Sequence, residues 1–247
     1  MKQVAGLTAA ARTFAGPHPS IGAQFDAVRK VLYQPGPWND GRPFTYDHAD
    51  PLGENVRHKL LSYYLKSRLG NCVTMPTLFM IVGRGIGLHL TLTDAPLHVL
   101  VRYTHPSLPV LNIEATSGGG FARDVWYQQQ LKISDKAIQS GLYLRTHTDR
   151  ETIALMATTV LDYLLSVGRN DDAIKVADAI LAADPKDGYT MVKKGTAIAV
   201  IMKAEFDNRY PTPASIPESL KPRYLELAAA NKKAFDDAEA LGWEPVQ

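Results

Sequence analysis

Cysteine, long apolar runs and an excess of charge of one sign are all scarce in this sequence, and each shortage excludes a class of protein. A single cysteine among 247 residues excludes an intrachain disulfide and any metal site built from several cysteines. No apolar run approaches the roughly 20 residues that a membrane-spanning helix needs. The net charge of +2, without a Lys/Arg-rich run, gives no support to nucleic-acid binding. We therefore expect no metal, no cofactor, no nucleic-acid partner and no membrane span.

The composition is that of an ordinary globular protein, with 45% apolar and 21% charged residues. The length favours one or two domains and is sufficient to bury a full core without disulfides. The first eleven residues are charged and then weakly apolar, which is too short and too mild for a convincing signal peptide. We expect a cytoplasmic protein, or a periplasmic one if a longer leader precedes this sequence.

Helical and strand patterns alternate over residues 1–149, which predicts an α+β domain. Apolar residues at helical spacing predict helices over 20–34, 54–68, 71–85 and 122–131. Short β-branched segments bounded by turn residues predict three antiparallel strands over 88–93, 97–103 and 110–114. The glycine-rich run 117–120 is expected to be a flexible turn.

Residues 150–247 show helical patterns only. The predicted helices 151–167 and 171–183 form a pair, and 189–206 with 222–241 are candidates for a second, degenerate pair that the insertion 209–217 splits. Ala173, Ala177 and Asp184-Pro185 have the spacing of the second half of a tetratricopeptide repeat, although the first half lacks that repeat's usual Trp and Gly-Tyr positions. One or two such units are fewer than the roughly three that a self-standing solenoid needs, so we expect this helical region to pack on the first domain rather than fold alone.

Cys72 lies where the third predicted helix should begin. Proline fits only the first turn of a helix, so Pro76 places the helix start close to Cys72. The N-terminus of a helix carries unpaired N–H groups and a positive field, which favours the thiolate, the nucleophilic form of cysteine. The same region can hold an oxyanion during acyl transfer, with the backbone N–H of Cys72 and the Asn71 side chain as candidate donors.

His98 and Glu114 lie on neighbouring predicted strands. With a turn centred on Pro106, His98 is directly opposite Glu114, and Asn112 shares their polar face as a candidate site-lining residue. Opposed Cβ atoms are about 4.5–5.5 Å apart, so a carboxylate can accept from one imidazole nitrogen while the other takes the thiol proton. A slip of one residue would send the two side chains to opposite faces.

Each of these residues also has a structural interpretation. A single cysteine beside an apolar helix is usually an inert core residue, and a single strand histidine is usually a core or surface residue. Trp38, in the aromatic loop 35–52, can line a substrate groove or pack the loop onto the core. The order of a cysteine at a helix start, a histidine on a strand and an acid on its neighbour favours a Cys-His-acid site for acyl transfer.

Three segments, Gly70–Pro76, His98–Tyr103 and Asn112–Gly119, resemble the transglutaminase-like superfamily and, within it, the bacterial SirB1-like branch. The resemblance covers about residues 50–130 well and the helical tail loosely. It implies a papain-type α+β core, with cysteine on a helix and the histidine and acid on neighbouring strands, followed by tetratricopeptide-like helices.

By position, the resemblance implies that Cys72 is the nucleophile, His98 the base and Glu114 the orienting acid. The wider superfamily usually has aspartate at the third position, and glutamate is one methylene longer. The implied activity is hydrolysis or transamidation of a peptide or protein amide. The rival hypothesis is a non-catalytic module of the same fold that recruits a protein partner through its helical half.

Overall fold

The computed structural model of the protein describes residues 2–245 and has an α+β fold with a small antiparallel sheet and a helical C-terminal part. The chain divides into two compact units: Met1–Ile133 with Tyr143–Thr152, and Ser134–Leu142 with Ile153–Gln247. The predicted fold class is confirmed. The assignment of 1–149 and 150–247 as separate domains stays a prediction.

The first unit contains the helices α1 (Lys2–Ala15), α2 (Ile21–Tyr33), α3 (Leu61–Ser67), α4 (Thr74–Gly85) and α5 (Asp124–Gln130). The sequence patterns did not predict α1. The prediction of α2 is confirmed, and the helix begins as expected at Ser20, whose hydroxyl accepts the Ala23 N–H at 3.2 Å.

The helix predicted over 54–68 is wrong in its first half. The segment Val56–Lys59 is a short 3₁₀ turn, and Leu60 is extended, with ψ of 127°, before α3 begins. The Asp50 carboxylate accepts the N–H groups of Glu54 and Asn55, which holds the chain in a turn where a helix was expected.

Two sheets form in the first unit. The strands β1 (Thr45–Tyr46) and β2 (Leu69–Gly70) make a short parallel pair. The larger sheet is antiparallel and has the order β3-β4-β5-β6, formed by β3 (Leu90–Ala95), β4 (His98–His105), β5 (Leu108–Glu114) and β6 (Gly120–Ala122). The three predicted strands are confirmed, and β6 is an addition to them.

The turn predicted over 117–120 is present and leads into β6, while its flexibility stays a prediction. Gly118 and Gly119 both have positive φ, at 77° and 76°, which reverses the chain. A Cβ atom on Gly119 would lie 2.9 Å from the Phe79 ring, so only glycine fits this close approach.

The predicted register of the β4–β5 hairpin is wrong by two residues. Arg102 is paired with Asn112 and Val101 with Ile113, while His105 is paired with Leu108 across an irregularity at the turn. The prediction assumed regular pairing about a turn centred on Pro106, and the irregularity between Tyr103 and His105 breaks that regular pairing. A shift of two residues keeps every side chain on its predicted face, because strand side chains alternate with a period of two.

Helix α4 is buried almost all round, as its apolar sequence indicates. It packs against β3 and β4 of the larger sheet and against α1 and α2. The aromatic rings of Phe25, Phe79 and Tyr103 contribute to this core, with Phe25 and Tyr103 meeting edge to face at 5.2 Å. This packing brings the first turn of α4 to the sheet that carries the hairpin.

The second unit is helical. It contains α6 (Asp135–Ser140), most of α7 (Asp149–Ser166), α8 (Asn170–Ala183), α9 (Gly188–Met202) with a π-helical turn Lys203–Asp207, and α10 (Lys221–Ala240). One apolar cluster joins α7, α8 and α9, and a second joins α9 and α10. The predicted helices of this region are confirmed. Within residues 2–245, no helix combines the length and the apolar character that crossing a membrane requires.

Candidate active site

Cys72 occupies the turn between β2 and α4, two residues before the first residue of that helix. The Asn71 side-chain oxygen accepts the N–H groups of Val73 and Thr74, at 3.1 and 3.2 Å, and the Asn71 carbonyl accepts the Met75 N–H at 3.1 Å. Asn71 therefore caps α4, because its oxygen satisfies donors that a helix start leaves unpaired.

The backbone N–H of Cys72 takes no part in this cap. Among the described residues, no backbone or side-chain acceptor receives it. The Asn71 side chain is engaged on both atoms, since its nitrogen donates to the His58 carbonyl at 3.3 Å. Of the two candidate oxyanion donors, the Cys72 N–H is the one that makes no hydrogen bond within the described chain.

His98 is the first residue of β4 and lies between the Cys72 thiol and the Glu114 carboxylate. Its Nε2 is 2.8 Å from Glu114 Oε2. A carboxylate can only accept, so this nitrogen carries a proton, and Nδ1 is the ring nitrogen left for a second partner. The Cys72 sulfur is 3.7 Å from the carbonyl oxygen of Leu97.

The pKa of His98 is raised from its ordinary value of 6.5 to about 9. Burial acts to lower this pKa, but the hydrogen bonds to Cys72 and Glu114 and the charge of Glu114 outweigh it. His98 is therefore a stronger base than a free imidazole, and its protonated form persists through neutral pH.

Glu114 is held by donors from three sides. Its Oε1 accepts the backbone N–H of Thr116 at 3.1 Å and the Thr116 hydroxyl, and its Oε2 accepts the Tyr127 hydroxyl at 2.9 Å as well as His98. Burial acts to raise the pKa of Glu114, but these bonds and the charge of His98 hold it below its ordinary value. The extra methylene of glutamate is accommodated, since the carboxylate reaches His98 at hydrogen-bond length.

Asn112 lies on the same polar face of the hairpin as His98 and Glu114, but its hydrogen-bond partners are Arg102 and Asp124. It is fully buried, accepts from Arg102 at 2.8 Å and donates to Asp124 at 2.7 Å. Arg102 also binds both carboxylate oxygens of Asp124, the first residue of α5. This group of three ties α5, and with it Tyr127, to the sheet.

Trp38 packs against the first helices. Its ring meets Phe14 edge to face at 4.8 Å, and the Lys30 ammonium lies 5.9 Å from its centroid. These contacts agree with the interpretation in which the loop packs onto the core. The assignments of Trp38 and Asn112 as site-lining residues stay predictions.

Sequence reasoning missed three residues that surround the pair of His98 and Glu114. Tyr127 and Thr116 donate to the carboxylate, and the Tyr46 phenol has a raised pKa because of burial and the nearby charges of Cys72 and Glu114. Tyr46 lies in the short β1–β2 pair, which no strand pattern in the sequence predicts. The nearest available signal was the position of Thr116 two residues after the acid, typical of a local carboxylate cap.

Among residues 2–245, no group of three or more His, Cys, Asp and Glu side chains is placed to hold a metal ion. The chemistry available at the site is that of a thiol, an imidazole and a carboxylate. These groups suit proton transfer and nucleophilic attack on a carbonyl carbon.

A protein-family model described as "Transglutaminase-like superfamily" matches residues 16–156. The matched range covers more than half of the chain and includes Cys72, His98 and Glu114. Searches of curated proteins and of solved structures gave no significant match.

Proposed function

The chain belongs to the transglutaminase-like superfamily, and from this premise we propose that it is a cysteine-dependent acyl-transfer enzyme acting on an amide. The observation that carries the proposal is the position of His98, whose Nε2 lies 2.8 Å from Glu114 Oε2 and whose pKa is raised by Cys72 as well as by Glu114. Nucleophile, base and orienting acid stand in this order in cysteine-dependent acyl transfer.

In the proposed reaction, His98 Nδ1 already holds the proton that the Cys72 thiol has given up, and the thiolate sulfur bonds to the amide carbon. The carbonyl oxygen becomes an oxyanion that the backbone N–H of Cys72 stabilises. His98 then delivers the proton to the amine nitrogen, the carbon–nitrogen bond breaks, and a thioester remains on Cys72. Glu114 holds the imidazole by Nε2 throughout and offsets its positive charge.

A peptide or protein amide is the proposed substrate class. Water resolving the thioester gives hydrolysis, and a second amine gives transamidation. Both reactions share the attack of Cys72 on the amide and differ only in the molecule, water or amine, that takes the acyl group from the thioester.

We further propose that the chain belongs to the bacterial SirB1-like branch and that its C-terminal helices are tetratricopeptide-like. The order of an α+β core followed by helices supports the first proposal. The small residues Ala173 and Ala177, fully buried in the cluster of α7, α8 and α9, support the second, because such repeats pack closely at small residues.

Alkylation of the native protein tests the proposed nucleophile. With one cysteine, iodoacetamide labelling has one source. At pH 7 we expect His98→Ala to slow labelling at least about tenfold, because the thiolate loses its imidazolium partner. His105→Ala, at the far end of the same strand, is the matched control and should label at the wild-type rate.

Equal labelling of wild type and His98→Ala, or no labelling before unfolding, would overturn the proposal. A positive result is extended with an activated ester such as nitrophenyl acetate. Mass spectrometry should then find an acetyl group on Cys72, and none in Cys72→Ala.

A second candidate function is a binding module of the same fold without catalysis. One observation favours it: Ile153, Val160 and Tyr163 lie along one face of α7, Val167 directly follows the helix, and all four are at least half exposed. Exposed apolar faces of this kind bind partner proteins. If Cys72→Ala folds normally and keeps full cellular function, this candidate replaces the enzyme.

A further inference from the structure

Glu114 Oε2 accepts two hydrogen bonds, and only one of them comes from His98. The second comes from the Tyr127 hydroxyl, at 2.9 Å against 2.8 Å for His98 Nε2. Tyr127 is almost fully buried, and its ring lies 6.3 Å from the His98 ring at an interplanar angle of 32°. The tyrosine therefore contacts the same carboxylate oxygen that faces the imidazole.

Tyr127 is fixed in this position by its helix. At the start of α5, Asp124 binds Arg102 and Asn112 of the sheet, and next to Tyr127 the Trp126 ring packs edge to face at 4.8 Å. Because α5 is anchored to the sheet and the Trp126 ring packs against Tyr127, the Tyr127 hydroxyl has little freedom to turn away from the Glu114 carboxylate.

A hydroxyl that donates to a carboxylate stabilises its negative charge and makes that oxygen a weaker acceptor for any other donor. At Glu114 the other donor is the imidazole. The Tyr127 hydroxyl therefore reduces the pull of the carboxylate on the His98 proton while it fixes where the oxygen points.

We propose that Tyr127 is a positioning residue of the acyl-transfer site, which acts through Glu114 to orient His98 and to limit its basicity. The inference rests on the proposed function. An imidazole that holds its proton too firmly delivers it slowly to the leaving amine, so a limit on its basicity favours turnover.

Three other titratable groups surround the pair, each from a different part of the first unit. Cys72 faces His98 from the turn before α4, Tyr46 lies near Cys72 and Glu114 on β1, and Tyr33 lies near Glu114 on α2. The hydroxyl of Tyr33 donates to the carbonyl of Ala115 at 2.9 Å and not to the carboxylate. Of the neighbouring phenols in the described chain, Tyr127 is the one that bonds to Glu114.

The test is an NMR titration of the His98 imidazole in the full chain, with isotope-labelled histidine and His98→Gln to assign the signal. Tyr127→Phe removes the hydroxyl and keeps the ring. We expect the wild-type midpoint near 9 and an increase of at least about 0.3 pH unit in Tyr127→Phe. Tyr33→Phe deletes a hydroxyl that bonds to the carbonyl of Ala115, the residue after Glu114, and should leave the midpoint unchanged.

A wild-type midpoint near 9 that does not rise in Tyr127→Phe overturns the role of Tyr127 and leaves the proposed pair intact. A wild-type midpoint near 6.5 overturns the pair itself, and the inference with it. If Tyr127→Phe does not fold, site-specific 3-fluorotyrosine at position 127 serves instead. Its hydroxyl is a stronger donor, so the midpoint should fall, and a constant or rising midpoint contradicts the proposal.

Discussion

His98 and Glu114 meet across the hairpin without being paired in it: their Nε2 and Oε2 atoms are 2.8 Å apart, although the ladder places Glu114 two positions away from the residue opposite His98. Both side chains stand on the same face of the sheet and lean toward each other along the strands. The longer side chain of glutamate makes this diagonal contact reachable.

The pH dependence of stability should carry the signature of His98. Its pKa is about 9 in the folded protein against 6.5 ordinarily, so its stabilising contribution is complete below pH 6.5 and is lost as pH rises through about 9. We expect the free energy of unfolding to fall by up to about 3 kcal/mol across this window. Denaturant unfolding of wild type and His98→Gln at pH 6 and pH 10 checks this, and a difference between them that is constant with pH contradicts it.

Glu114→Gln should lower the reactivity of Cys72 while it preserves the shape of the site. The amide keeps the size of the side chain but removes the charge that stabilises the protonated imidazole. We expect alkylation of Cys72 at pH 7 to slow about tenfold or more and stability to fall by about 1–3 kcal/mol. Far-UV circular dichroism controls for folding.

Glu114→Asp restores the residue usual in the superfamily and should still be impaired. The backbone is set for the longer side chain, so aspartate withdraws the carboxylate from His98 by one carbon–carbon bond length, ~1.5 Å. Alkylation at the wild-type rate in Glu114→Asp would show that the length of the acid does not matter here.

Leu97→Gly should stabilise the protein. Leu97 has φ of 54°, a left-handed conformation that costs a non-glycine residue about 1–2 kcal/mol. Its side chain is 53% exposed, so little packing is lost. Glycine also makes the unfolded chain more flexible, which cancels part of this gain. We expect the free energy of unfolding, measured with denaturant, to rise by about 0.5–1 kcal/mol. Leu108→Gly, a similarly exposed strand position without positive φ, should destabilise.

Arg102→Met should destabilise strongly. Arg102 is buried, and its loss leaves Asn112 and Asp124 without their shared partner. We expect a cost of about 2–4 kcal/mol, lower than for a fully buried pair because Asp124 is partly exposed to water. The control is Arg84→Met, which breaks an exposed ion pair with Asp149 and should cost less than about 1 kcal/mol.

The sequence by itself determined what depends on neighbouring residues. Apolar spacing placed the helices α2 and α4, because side-chain periodicity follows from local backbone geometry. Pro76 placed Cys72 at a helix start, because the constraint acts within one turn. Alternation along β4 and β5 placed His98 and Glu114 on one face, and this survived an error of two residues in register.

Only the tertiary structure decided what depends on residues far apart in the chain. The register was set by the irregularity at the hairpin turn, which no spacing in the sequence encodes. The donors that hold Glu114 include Tyr127 from α5, and Tyr46 reaches the site through a strand pair of two residues each. Tertiary packing, rather than local propensity, brings such residues together. The sequence therefore indicated Cys72, His98 and Glu114, whereas the residues that surround them depend on the tertiary structure.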